Sequence, residues 1–228
     1  MKKTKLMRAA LLLLVLTLIT SCFVGSTFAK YTTSKTGSDT ARVAKWGVAI
    51  DAKGTTFAKE YKTDTDGVGA IANSVVSAGT DKVIAPGTKG RMVEMTITGT
   101  PEVAVRVNYA ANFKVENWTV DGKFYCPLHI KVGNIWYDGT GYDSADAFEN
   151  AVSKAISDLS GNYDAGTNLN GANVTVPSVS WEWPFENTSA STPAGVKNPQ
   201  TDANDTALGN AGNATISLSV TATVTQID

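Results

Sequence analysis

Apolar residues recur at every second position over two long stretches of this chain. In the first, Val103, Val105, Val107, Tyr109, Ala111, Phe113 and Val115 are separated by Glu102, Arg106, Asn108, Asn112, Lys114 and Glu116, among others. A period of two sends the two sets to opposite faces of a strand, one onto a core and one into solvent. The run is long for one strand, so a bend or bulge is expected within it. In the second, Ala214, Ile216, Leu218, Val220, Ala222 and Val224 alternate with Thr215, Ser217, Ser219, Thr221, Thr223 and Thr225. This predicts another long strand, with a hydroxyl-rich outer face, tied into a sheet.

Shorter alternations fill the interval. Val93, Met95 and Ile97 follow a Pro86-Gly87 turn. Leu128, Ile130 and Val132 run into Gly133-Asn134, a two-residue hairpin signal, and return through Ile135 and Tyr137. Asp121-Gly122 marks another turn. Val179, Trp181, Trp183 and Phe185 alternate late in the chain, where Pro184 predicts an edge strand or a strand end. Near the start, Ala44, Trp46, Val48 and Ile50 form the set expected to face the core. One segment has a helical period instead: Ala147, Phe148, Ala151, Val152, Ala155, Ile156 and Leu159 make one stripe, with Asp143 or Ser144 to cap it and Gly161 to end it. From about 187 to 213 large apolar residues are scarce, which reads as a long surface loop. These elements predict an all-β fold, a jelly-roll-like β-sandwich with one inserted amphipathic helix at about 144–160.

The head of the chain follows another rule. Lys2, Lys3, Lys5 and Arg8 precede the apolar run Ala9–Ile19, and Gly25-Ser26-Thr27-Phe28-Ala29 leads into polar sequence. A basic end, a greasy centre and small residues make a secretory signal over 1–29, with Thr27 and Ala29 at the small positions before a cut that leaves Lys30 first. The run falls short of the roughly 20 residues a bilayer span needs. Residues 30–42 then form an N-terminal arm, and 43–228 a single β-sandwich domain. A competing reading comes from Ile19-Thr20-Ser21-Cys22, which resembles a lipobox and makes Cys22 a lipidation candidate.

Composition narrows the function. Removing Lys2, Lys3, Lys5 and Arg8 leaves 16 Lys and Arg against 21 Asp and Glu, a formal charge of −5 against −1 for the whole chain. An acidic balance argues against nucleic-acid binding, which needs a basic patch. With Cys22 in the signal, Cys126 is the one cysteine left, and beside Phe124 and Tyr125 it is expected to be a buried thiol.

Candidate chemistry is sparse. The single histidine, His129, sits between two core-facing residues, so it is expected to face outward into solvent. One histidine and no His-Glu-x-x-His pair argue against a zinc protease, and no catalytic residue is assigned. Asp64 with Asp66, Asp202 with Asp205, and the set Asp138, Asp143 and Asp146 offer oxygen ligands for calcium, although Asp residues equally build turns. No other cofactor is indicated. Trp181, Trp183 and Phe185 could stack on a sugar or pack in a core.

Three segments resemble the TasA/camelysin family, exported Gram-positive proteins processed by a SipW-type signal peptidase. They are Gly25–Tyr31 at the cleavage region, the Pro86-Gly87 turn followed by a strand and then Val103–Tyr109, and the strand Ile216–Thr223. The resemblance implies a jelly roll and a non-catalytic subunit of an extracellular fibre or biofilm matrix. Its partners would be the signal peptidase during export and then itself, with the membrane touched only through the signal. It also implies assembly by donor-strand exchange, here through an arm carrying Lys30, Tyr31, Thr33 and Lys35. The alternative is a monomeric cell-surface adhesin or carbohydrate-binding sandwich using the Trp181/Trp183 face.

Overall fold

The structure, a computed structural model, describes residues 2–27, 41–53, 57–62, 74–185 and 197–228. The chain divides into two units, Met1–Val43 and Ala44–Asp228. In the first, helix α1 spans Lys2–Thr27 and leaves Leu11 to Ile19 exposed. No helix among the described residues is long and apolar enough to cross a membrane.

The second unit is mainly β, built from antiparallel strands. In chain order these are β1 (Val48–Lys53), β2 (Glu60–Tyr61), β3 (Val75–Val76), β4 (Lys89–Gly99), β5 (Val105–Glu116), β6 (Thr119–Val120), β7 (Lys123–Phe124), β8 (His129–Val132), β9 (Ile135–Asp138), β10 (Gly161–Tyr163), β11 (Ser178–Glu182) and β12 (Thr215–Gln226). Helix α2 covers Ala145–Ser157 and α3 Asp202–Ala211. A five-stranded sheet has the order β1-β4-β11-β8-β9 and a three-stranded sheet the order β10-β5-β12. Strands β2–β3 and β6–β7 form separate small hairpins.

Strand β5 follows its predicted alternation. Val105, Val107, Tyr109, Phe113 and Val115 are buried, and their even-numbered neighbours are exposed. Full burial of each large side chain contributes roughly 1.5–3 kcal/mol. No bulge interrupts its pairing: β5 pairs with β12 in unbroken register from Val105↔Gln226 to Glu116↔Thr215. The register shift lies elsewhere, between Val179 and Ser180 where β11 meets β4. Pro184 marks a strand end rather than an edge, because β11 is central in its sheet and stops at Glu182.

The turns follow local chemistry. Asp121 and Gly122 both take positive φ (52° and 74°) between β6 and β7, and Gly133 (φ 59°) reverses the chain between β8 and β9. Ser144 caps α2 by accepting from the Ala147 N–H at 3.2 Å, and Phe148, Val152 and Ile156 turn into the core, with Phe148 edge-on to Phe113. The expectation of one loop over 187–213 is corrected by α3. Thr201 caps it, Asp202 and Asp205 occupy its first turn, and Gly212 (φ 64°) ends it. Leu208 is its single buried apolar residue, too little to show a periodic stripe. Residues 186–196 of that expected loop lie outside the described residues.

Strand β1 begins only at Val48. Val48 and Ile50 lie opposite Gly99 and Ile97 on the predicted inward face, whereas Ala44 and Trp46 of the same expected set precede the strand and are exposed. Ile50 is nevertheless 41% exposed, because β1 forms an outer edge of its sheet.

Candidate functional site

Sheet register brings three ionisable side chains together on the face of the five-stranded sheet away from the core. His129 of β8 lies opposite Glu182 of β11 and opposite Asp138 of β9. Its Nδ1 is 3.3 Å from Glu182 Oε1, and its Nε2 is 3.4 Å from Asp138 Oδ2, an ion-pair contact without hydrogen-bond geometry. Asp138 Oδ1 accepts from the Thr140 N–H at 2.9 Å and from its hydroxyl at 2.7 Å. The expectation of a solvent-facing His129 is therefore corrected. The ring points away from the core, as its parity requires, but it is only 6% exposed.

Burial alone would lower the His129 pKa, yet the Asp138 and Glu182 carboxylates outweigh it and hold the ring up at about 9. Burial likewise opposes ionisation of Asp138, while His129 and Thr140 pull its carboxyl below the usual range. The imidazolium is thus held between two carboxylates with both ring nitrogens faced by acids. That arrangement stores charge and ties three strands together; it presents no ring nitrogen to a substrate or a metal. The signal for this cluster was available in the sequence. A hairpin turning at Gly133-Asn134 necessarily sets His129 opposite Asp138. Glu182 has no such local signal, since its position depends on β11 being inserted beside β8.

The remaining candidates fall out as follows. Asp205 is buried, and its carboxylate accepts from the Tyr125 hydroxyl at 2.6 Å and from Gln200 Nε2 at 2.7 Å. Both oxygens are committed to holding α3, while Asp202 is exposed in the first turn of that helix. The calcium reading of Asp202 with Asp205 gains no support from this arrangement. Asp143 pairs with Lys197 and Asp138 with His129, so those carboxylates also have partners. Asp64 and Asp66 lie outside the described residues. Among the described residues no group of three His, Cys, Asp or Glu side chains is placed to hold a metal ion.

Trp181 and Trp183 are 1% and 5% exposed, the first against Phe57 and Tyr61 and the second against Trp118. Of the two readings open for these rings, they take core packing, and buried rings offer no stacking face to a sugar. Phe185 is half exposed and lies over Gly87. Cys126 is fully buried, and burial pushes its thiol pKa well above the ordinary value. Thr27 ends α1. Ala29, Lys30, Tyr31, Thr33 and Lys35 lie outside the described residues, as does the side chain of Cys22.

The strand edges are the other feature of interest. On one side of β5, beyond its short pairing with β10, α2 and the residues after it supply acceptors in place of a neighbouring strand. Ser160 Oγ accepts from the Tyr109 N–H at 2.9 Å, Ser153 Oγ from Phe113 at 3.1 Å and Glu149 Oε1 from Val115 at 3.0 Å. Buried backbone donors are thereby satisfied without a strand. Strand β12 covers the other side of β5 and is itself the outer strand of the sheet. Because the odd-numbered N–H groups of β5 point to α2 and β10, its even-numbered ones bond to odd-numbered residues of β12. The even-numbered residues of β12, Ile216 to Val224, therefore aim their backbone groups outward. They also carry the apolar side chains of β12, which are only half buried.

Comparison with known proteins matches this chain to no protein-family model, no curated protein and no solved structure.

Proposed function

We propose that the protein is a secreted, non-catalytic structural subunit of an extracellular fibre or surface matrix, with a jelly-roll-like sandwich of the TasA/camelysin kind. Processing by a signal peptidase after Ala29 frees the arm that begins at Lys30, and the arm adds as a strand to a sheet edge of the next copy. The observation that carries this reading is the incomplete cover at β1. Ile50 faces inward but stays 41% exposed on an outer strand. A strand laid beside β1 would gain backbone hydrogen bonds and cover that side chain. The burial of Trp181 and Trp183 removes the feature that favoured a carbohydrate-binding sandwich.

The test compares a chain starting at Lys30 with one starting at Ala44. Filaments in electron micrographs are expected from the first and not from the second. Identical filaments from both would sink the arm mechanism. Mass spectrometry of the exported protein is expected to place Lys30 at the N-terminus; a diacylated Cys22 there would replace the released subunit with a membrane-tethered one.

A further inference from the structure

Among the described residues, the two larger sheets of this unit end in β1, β9, β10 and β12. Two of these edges, β9 and β10, are guarded by their shortness, and β1 is the edge assigned above to the arm. Strand β10 has three residues and β9 four, while β1 has six and carries Asp51 and Lys53. Strand β12 has 12 residues, about 40 Å of extended chain, with no charged side chain, no proline and no register shift. Its outward backbone groups belong to Ile216, Leu218, Val220, Ala222 and Val224, whose side chains are only partly buried against the core.

We propose that this edge pairs with the same edge of a second copy, antiparallel about a two-fold axis at Val220. In that register Val220 meets Val220, Leu218 meets Ala222 and Ile216 meets Val224 of the partner copy. On the outer face Ser219 meets Thr221, Ser217 meets Thr223, and Thr215 meets Thr225. Every apolar side chain finds an apolar one and every hydroxyl a hydroxyl, which is the favourable cross-strand pattern. The residues with outward backbone groups are the ones placed opposite each other, so both copies contribute donors and acceptors at each pair. The two three-stranded sheets become one six-stranded sheet with its apolar face continuous.

Charge favours a second copy over an unrelated partner. The chain from Lys30 carries a formal charge of −5, and two copies approach with least repulsion along a strand that has none of it. A basic partner would find nothing on β12 to steer it. This contact is isologous and closes on itself, whereas strand addition by the arm is head-to-tail and propagates. The two are separate interfaces.

The chain from Ala44 to Asp228 holds every residue of the buried core and lacks the arm, so it isolates this contact. Sedimentation equilibrium into the ~100 μM range is expected to show a dimer. Val220→Pro removes an outward N–H and leaves the ladder to β5 intact; it is expected to give a monomer with an unchanged melting temperature. Thr221→Pro removes a ladder bond to β5 and is expected to lower the melting temperature. Should V220P itself unfold, the exposed double change S219D/T221D places like charges opposite each other across the axis. That variant is expected to be monomeric alone and to form a mixed dimer with S219K/T221K. A wild-type monomer at every concentration, or a dimer that survives V220P and S219D/T221D, overturns the proposal. Filaments that fail from the Lys30 chain while this dimer persists would count against the arm alone.

Discussion

His129 illustrates what one residue can tell. Its ordinary pKa is 6.5, and two carboxylates hold it at about 9 in the folded chain. A pKa raised on folding adds stability that is complete below 6.5 and is lost as the pH climbs through 9. The shift corresponds to roughly 3–4 kcal/mol. Urea melts are therefore expected to weaken from neutral pH to about 9, and His129→Gln is expected to flatten that slope. A slope unchanged in the variant would assign it to other groups. At the acid end Asp138 works in the opposite sense: its lowered pKa adds stability that disappears as the pH falls through it. Gly87 makes a second case. Its φ is +83°, and a Cβ there would lie 2.3 Å from the Phe185 ring. Gly87→Ala is expected to cost about 2 kcal/mol or more, from backbone strain and overlap together. Adding Phe185→Ala should return only the overlap part, since the backbone strain stays. Residue parity on β5, β8 and β12 was readable from alternation alone. The burial of His129 was not, because alternation reports a face and says nothing of what later covers it.

Elements behaved differently according to how they are held. Helix α2 announced itself by its apolar stripe, yet the stripe omitted Glu149, which is buried among those apolar residues. Its carboxylate is there because β5 needs acceptors: it takes the Val115 N–H and the Lys114 ammonium. Glu149→Ala would leave a buried N–H unpaired, at an expected cost of about 2–3 kcal/mol in urea unfolding. Ser153→Ala and Ser160→Ala are expected to cost about 1 kcal/mol each by the same mechanism. If all three variants unfold like the wild type, water substitutes for the helix and the edge-guarding role fails. Helix α3 had capping residues at both ends but one apolar anchor, so only its termini were legible. What secures it is the Tyr125–Asp205–Gln200 network, in which Tyr125 lies 80 residues before Asp205.

At the scale of the whole molecule, hairpins were legible and sheet order was not. Gly133-Asn134 and Asp121-Gly122 determine their pairings within a few residues. Nothing local says that β11 inserts between β4 and β8, or that β12 returns to β5. That return has a consequence in time. Trp118, just past β5, donates to the Thr215 carbonyl at the head of β12, 97 residues later. An emerging polypeptide thus carries β5 with one side bare until β12 has been synthesised. Contacts of such long range close slowly, on the millisecond-to-second scale. A chain stopped after Asn213 is expected to show no cooperative thermal transition, and a sharp one would refute this. A polypeptide that delays its own closure leaves the apolar face of β5 open for that interval, available to whichever strand reaches it first.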